Sequence, residues 1–181
     1  MNIDILKECI RVEVIGRDHK FSWRKALTRT RHNRRKYFMF WWRVACYLYA
    51  KGGFKRRFAR RIEEKLHRQY DVEIPLTVTI GPGLNLAHLS GIAITENCII
   101  GKNLHIKQGV TIGLRTPAAQ ALIQIGDKVD IGCNSSILGG KITIGDNVTV
   151  GAHALVTKSI PPDSVYINQI TPLIKQKCRA L

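Results

Sequence analysis

From residue 80 onward, aliphatic residues return every six positions. Ile80, Leu86 and Ile92 make one run. Ile94, Ile100, Ile106 and Ile112 make a second, shifted by two. Ile125, Ile131 and Ile137 make a third, and Leu138, Ile144, Val150 and Val156 a fourth, shifted by one. Glycine often follows the apolar position, as in Ile80-Gly81, Ile100-Gly101, Ile125-Gly126 and Ile131-Gly132. A helix repeats at about 3.6 residues and a strand at about two, so neither explains a beat of six. A parallel β-helix does. Each coil has three short flat faces, and one aliphatic side chain per face points inward. Stacked coils then bury a core that no single repeat could bury alone. Gly, Asn and Asp suit the corners because they accept left-handed backbone angles at little steric cost. The expected fold is mainly β, a hexapeptide-repeat parallel β-helix over roughly residues 78–160.

The beat is disturbed in two places. Ile112-Gly113 and Ile125-Gly126 lie 13 residues apart, so Leu114 to Ala121 must partly leave the coil as a loop. Between Leu86 and Ile94 the register slips by two, which opens a bulge in the coil wall around His88. Loops thrown from a rigid scaffold are common carriers of function.

The first third of the chain is a different kind of object. The whole sequence of 181 residues holds 29 Lys+Arg against 13 Asp+Glu, a formal charge of +16. Residues 1–70 hold 20 and 6 of these, and residues 71–181 hold 9 and 7. Such a balance asks for an acidic partner. Helix-compatible residues run from about Trp23 to Lys51 and from Lys55 to Gln69, divided by Gly52-Gly53. Phe58, Ile62 and Leu66 draw an apolar stripe on the second segment, and Arg56, Arg57, Arg60, Arg61, Lys65 and Arg68 coat the rest. Tyr37 to Trp42 form an aromatic run directly after Arg34-Arg35-Lys36. That run either packs on the remainder of the protein or meets an anionic membrane surface. No zinc-finger spacing, RNA-binding aromatic signature or basic zipper supports nucleic acid. The stretch Tyr37 to Ala50 contains Arg43 and is too short to span a bilayer.

Five cysteines, widely spaced and without a C-x-x-C pair, read as reduced thiols of a cytoplasmic protein. The N-terminus lacks the basic and apolar regions of a secretory signal. The expected division is a basic α-helical region over 1–72, a β-helix over 73–162 with a loop at 114–122, and a C-terminal tail over 163–181.

Among six histidines His88 stands apart, in Leu86-Ala87-His88-Leu89-Ser90-Gly91-Ile92-Ala93-Ile94. This stretch resembles the D-H-x-x-G-I-V-I segment of the hexapeptide-repeat acyltransferases, specifically serine acetyltransferases and polysaccharide O-acetyltransferases. Val110-Thr111-Ile112-Gly113, Ile137-Leu138-Gly139-Gly140 and Val156-Thr157-Lys158-Ser159-Ile160-Pro161-Pro162 match in order and spacing. Pro172 looks like the proline of the closing N-P-A-K segment. The resemblance covers about residues 55–177.

The resemblance implies a left-handed β-helix, a homotrimer, and acetyl-CoA as donor with no metal. It implies that His88 is the general base, oriented by a carboxylate fifteen residues upstream, where Glu73 stands. An imidazole titrates near neutral pH and can take a proton from a hydroxyl, itself a poor nucleophile. A carboxylate on its other nitrogen fixes the tautomer and stabilises the imidazolium. The resemblance further places Gly113, Gly132 and Cys133 along the pantetheine arm. Lys158, with Lys175 or Lys177, is placed near the phosphates. Cys133 reads as small wall filler. His105 and His153 sit at hexad positions with no matching carboxylate, and His19, His32 and His67 read as surface residues. Two departures matter: the serine-specific enzymes have Asp where Ala87 stands and a second histidine where Leu122 stands. Both point from serine toward a sugar hydroxyl. The alternatives are a serine O-acetyltransferase of cysteine biosynthesis and a non-catalytic trimeric scaffold on an anionic surface. The three-histidine zinc site of γ-type carbonic anhydrases is disfavoured, because it needs two histidines five residues apart.

Overall fold

A computed structural model describes residues 1–115 and 121–169. Helices come first: α1 (Ile3–Ile10), a short π-helical turn at Arg11–Ile15, α2 (Trp23–Arg31), α3 (Arg34–Lys51) and α4 (Gly53–Tyr70). Asn2, Ser22 and Asn33 cap the first three, each side chain accepting a backbone N–H of the first turn. The cap at Asn33 divides the expected single segment Trp23–Lys51 into two helices. The N-terminal α1, which carries no strong sequence signal, is also present.

The aromatic run packs inward. Phe38, Met39, Phe40 and Trp42 are buried, and only Tyr37 and Trp41 stay half-exposed. On α4 the buried line is Ala59, Leu66 and Tyr70 rather than Phe58–Ile62–Leu66. Phe58 turns outward because α4 approaches α3 through its smallest side chain, Ala59. Among the described residues, no helix is long and apolar enough to cross a membrane.

Fourteen strands of the described residues then wind into three parallel sheets. The first face holds β1 (Val72–Glu73), β4 (Ile92–Ile94), β7 (Thr111–Gly113), β10 (Ser136–Leu138) and β13 (Leu155–Val156). The second holds β2 (Thr79–Ile80), β5 (Cys98–Ile100), β8 (Leu122–Ile125) and β11 (Lys141–Ile144). The third holds β3 (Asn85–Leu86), β6 (His105–Ile106), β9 (Asp130–Ile131), β12 (Thr149–Val150) and β14 (Val165–Tyr166). Pairing links each strand to the third one after it, except that β12 pairs with β14, and this is the topology of a three-sided parallel β-helix. Every hexad aliphatic named above is buried except Leu138. There Ile137 points inward, and the extra residue is absorbed at Gly139-Gly140 before β11.

The glycine that follows so many inward residues has a steric cause. A Cβ on Gly101 would lie 2.7 Å from the carbonyl carbon of Gly126 in the next coil, and one on Gly145 2.6 Å from the Cα of Pro162. The corners carry Asn103, Asn134, Asn147 and Asp163 in the left-handed region, as expected, but also Lys128 and His153. The coil begins at Val72, and β14 pairs with β12, so it also runs past residue 162.

One buried ion pair joins the helices to the first coil. Arg43 Nε and Nη2 donate to Glu13 at 2.9 and 2.6 Å, while Nη1 and Nη2 donate to the Ile80 and Gly81 carbonyls at 2.8 Å. Glu13 Oε1 also accepts the N–H groups of Gly83 and Leu84. Trp42 Nε1 donates to the Ile74 carbonyl at 3.0 Å. Helical and coil residues thus share one continuous core.

Candidate active site

Coil-to-coil pairing shows where the chain departs from a regular coil. Ile94 pairs with Ile112, 18 residues on, the length of three hexads. Leu86 pairs with Ile106, 20 residues on. The two additional residues fall between Leu86 and Ile94, at the corner from the third face to the first. His88 sits on this bulge and is exposed. Gly91 closes it with φ +62° and lies against Gly109 of the next coil. The Gly91 N–H donates to Asp71 Oδ2 at 3.0 Å. Asp71, itself left-handed at the C-cap of α4, therefore tethers the bulge to the start of the β-helix. Sequence reasoning did not single out Asp71; its αL-tolerant residue type at a helix end was the available signal.

Glu73 lies on the first face, in β1, beside Ala93 of β4. It is exposed and forms no hydrogen bond to His88 among the described residues. It lines a cleft of about 210 Å³ between α3, α4 and the first coil, with Trp42, Glu63 and His67. Burial pushes the Glu63 carboxyl above its ordinary value, against the Leu76 N–H that it accepts.

Gly113 ends β7 at the opposite edge of the first face. A Cβ there would meet nothing closer than Leu138 Cδ2 at 3.6 Å, an ordinary contact. Among the described residues no neighbour requires glycine at this position, and its carbonyl accepts the Gly139 N–H at 3.2 Å. Gly132 differs: it is buried, and a Cβ would lie 2.5 Å from the Ala152 nitrogen, so coil packing alone explains it. Cys133 is half-buried at the same corner as His88, two coils along, and Lys158 is exposed beyond β13. Lys175, Lys177 and Pro172 lie outside the described residues, as do 116–120 of the loop. Leu122 already belongs to β8 and pairs with Lys141, so the loop ends before it.

The expectation that His105 lacks a carboxylate is overturned. His105 and Asp130 are register partners on the third face, with Nδ1 3.1 Å from Oδ2. Both side chains are partly exposed. The buried thiols are inert: burial pushes Cys9 up to about 11 and Cys46 and Cys98 up to about 12. Among the described residues no three metal-ligating side chains converge.

The first face is thus bordered by His88 on one side and by Gly113 on the other. In the middle of the face the outward residues are small, Ala93, Thr111 and Ser136, while Glu73 and the exposed Leu155 stand at the two ends of the same row. No protein-family model matches the chain. It is 35% identical over 129 residues to a serine acetyltransferase of Staphylococcus epidermidis, covering 70% of this chain and 60% of that one. It is 37% identical over 100 residues to the colanic acid biosynthesis acetyltransferase WcaB of Escherichia coli, covering 55% and 61%. The serine acetyltransferase of Neisseria gonorrhoeae in complex with serine superposes with a TM-score of 0.74 at 27% identity, covering 91% and 67%. The chain spans less than two thirds of the length of these two curated relatives. By sequence and by fold it is a relative of the hexapeptide-repeat acyltransferases.

Proposed function

We propose that the chain is an acetyl-CoA-dependent O-acetyltransferase, its coil left-handed, with His88 as general base acting on a sugar hydroxyl. The observation that carries this reading is the exposed His88 on a two-residue bulge, at the edge of a face whose central outward residues are small. Bound acetyl-CoA supplies an activated acetyl group as a thioester. Gly113 fits such a group, because a Cβ there would make only ordinary contacts with the described residues, so coil packing does not account for the glycine. Lys158 is exposed at the same edge and would pair with its phosphates. Gly132 and Cys133 would border the same corner as His88. Neutral His88 takes the proton of the acceptor hydroxyl as its oxygen attacks the thioester carbon, and returns that proton to the departing thiolate. Glu73 is the carboxylate assigned to hold the imidazolium. A base of this kind contributes about 10²–10⁴-fold in rate. Three copies would build three sites, each in a groove between the β-helices of neighbouring subunits.

Ala87 and Leu122 support a sugar acceptor, since neither can pair with a zwitterion. The sugar reading places the enzyme in the cytoplasm at the inner face of the membrane, where lipid-linked acceptors would be met. Serine is the second reading, supported by the serine acetyltransferases among its relatives and by a structural neighbour that holds serine. The test is thiol release from acetyl-CoA with serine, nucleotide sugars and oligosaccharides as acceptors, wild type beside His88→Ala. Sugar-dependent release that falls about 10²–10⁴-fold in the variant is expected. Preference for serine would replace the sugar reading. No release with any acceptor, and no CoA binding, would leave a scaffold.

A further inference from the structure

The cations of α4 share a face with exposed apolar side chains. Phe54 is 80% exposed and Phe58 47%, and Ile62 is half-buried. At about 100° per residue, Phe54, Phe58 and Ile62 fall within one arc together with Arg57, Arg61, Lys65 and Arg68. The inward side of the helix, at Ala59, Leu66 and Tyr70, lies outside that arc's centre. Beside it, Tyr37, Trp41, Phe58 and Ile62 line an open groove of about 280 Å³, rimmed by Arg61 and Lys65. Phe54 stands one residue past the Gly52-Gly53 turn, at the tip of the α3–α4 hairpin. A Cβ on either glycine would meet nothing within 4 Å, so the tip projects freely.

We propose that this face of α4 docks on an anionic phospholipid surface, with Phe54 and Phe58 entering the headgroup region and Arg57, Arg61 and Lys65 pairing with phosphates. The proposal fixes which residues would meet the membrane and stands independently of acetyl transfer. The aromatic run at residues 37–42 is not the contact, because most of it is core. Charge complementarity selects the occupant. A second copy of α4 would set like charges against like. A nucleic acid would satisfy the cations but offer no apolar phase for Phe54. Long basic side chains can extend their heads to the phosphates while their stems lie along the apolar ring faces. Each cation near an anionic surface contributes about fivefold in affinity.

Sedimentation of the full chain with vesicles tests this. Vesicles of phosphatidylcholine alone are compared with phosphatidylcholine containing phosphatidylglycerol, at low and at raised salt, beside a mixed-sequence RNA oligonucleotide. Circular dichroism confirms that each variant is folded. Binding to the anionic vesicles only is expected. The triple variant Arg57→Gln, Arg61→Gln, Lys65→Gln should weaken it about a hundredfold. Phe54→Ser with Phe58→Ser should weaken it about tenfold or more and abolish what survives raised salt. Absence of binding to anionic vesicles at low salt overturns the proposal. So does vesicle binding that the phenylalanine variant leaves unchanged, or tighter binding to the oligonucleotide than to the vesicles.

Discussion

The sharpest stability prediction concerns Glu13 and Arg43, whose side chains are 0% and 2% exposed. Burial alone would pull the Arg43 pKa down, yet the Glu13 carboxylate beside it holds it above its ordinary value. Glu13→Gln keeps one acceptor oxygen, removes the negative charge and turns an NH2 toward the guanidinium. It leaves Arg43 as an uncompensated buried charge, at a cost of about 3–5 kcal/mol. Against a total stability of about 5–15 kcal/mol, that is a large fraction. Replacing buried pairs by apolar residues is often neutral or stabilising. Here the double variant Glu13→Leu, Arg43→Met should not recover. The Gly83 and Leu84 N–H groups and the Ile80 and Gly81 carbonyls would all lose their partners. Each orphaned group costs about 1–3 kcal/mol where water cannot reach it. Urea unfolding followed by circular dichroism reads both variants, with the slope checked for a change of mechanism. A Glu13→Gln midpoint within about 1 kcal/mol of wild type would refute the reasoning, as would full recovery in the double variant.

Asp71→Gly keeps the left-handed backbone but frees the bulge, so kcat should fall about ten- to a hundredfold with the fold intact. Asp71→Asn, which keeps an acceptor and tolerates the same backbone, should stay near wild type; equal losses in both would remove Asp71 from the site. Glu63→Gln should raise stability slightly at neutral pH, because burial disfavours the charged carboxylate and solvent screens part of that penalty. Burial raises the folded-state pKa of Glu63 above 4.5, so its contribution is whole below pH 4.5 and is lost as pH rises through the folded value. The gap between variant and wild type, read from melts across pH, should therefore vanish below pH 4.5 and open above it. Gly132→Ala should cost about 1–3 kcal/mol, because the next coil's backbone stands in the way. Gly113→Ala should fold like wild type and raise KM for acetyl-CoA, which steady-state kinetics and a melt together would show.

The solenoid was legible because its core demands one aliphatic residue at a fixed interval, and its close coils demand glycine beside it. The His88 bulge was legible for the same reason: against a strict beat, a slip of two residues is a physical event. The helices were less so. Neither the break at Asn33 nor the outward turn of Phe58 can be read from apolar spacing alone. Phe58, Ile62 and Leu66 fit one helical stripe, but the line that packs is set by how closely α3 can approach, which Ala59 decides. Leu138 was misplaced because two adjacent aliphatic residues compete for one inward position. Only the Gly139-Gly140 turn shows which is displaced.

The His105–Asp130 pair shows how a site can hide behind a loop. A regular coil brings residues 18 apart into register, but Ile100 pairs with Ile125 and Ile106 with Ile131, 25 apart. The excess of seven is the loop's contribution, and it carries Asp130 to the side of His105. That excess was itself readable from the spacing of Ile112 and Ile125. Carrying that offset one strand further along the chain would have placed the carboxylate. The same arithmetic argues against a catalytic role for the pair. It lies at a regular position of the third face, where each side chain already has a partner in the adjacent strand. His88 stands on a bulge, where the wall must open to present it, and only such a departure makes room for an acceptor.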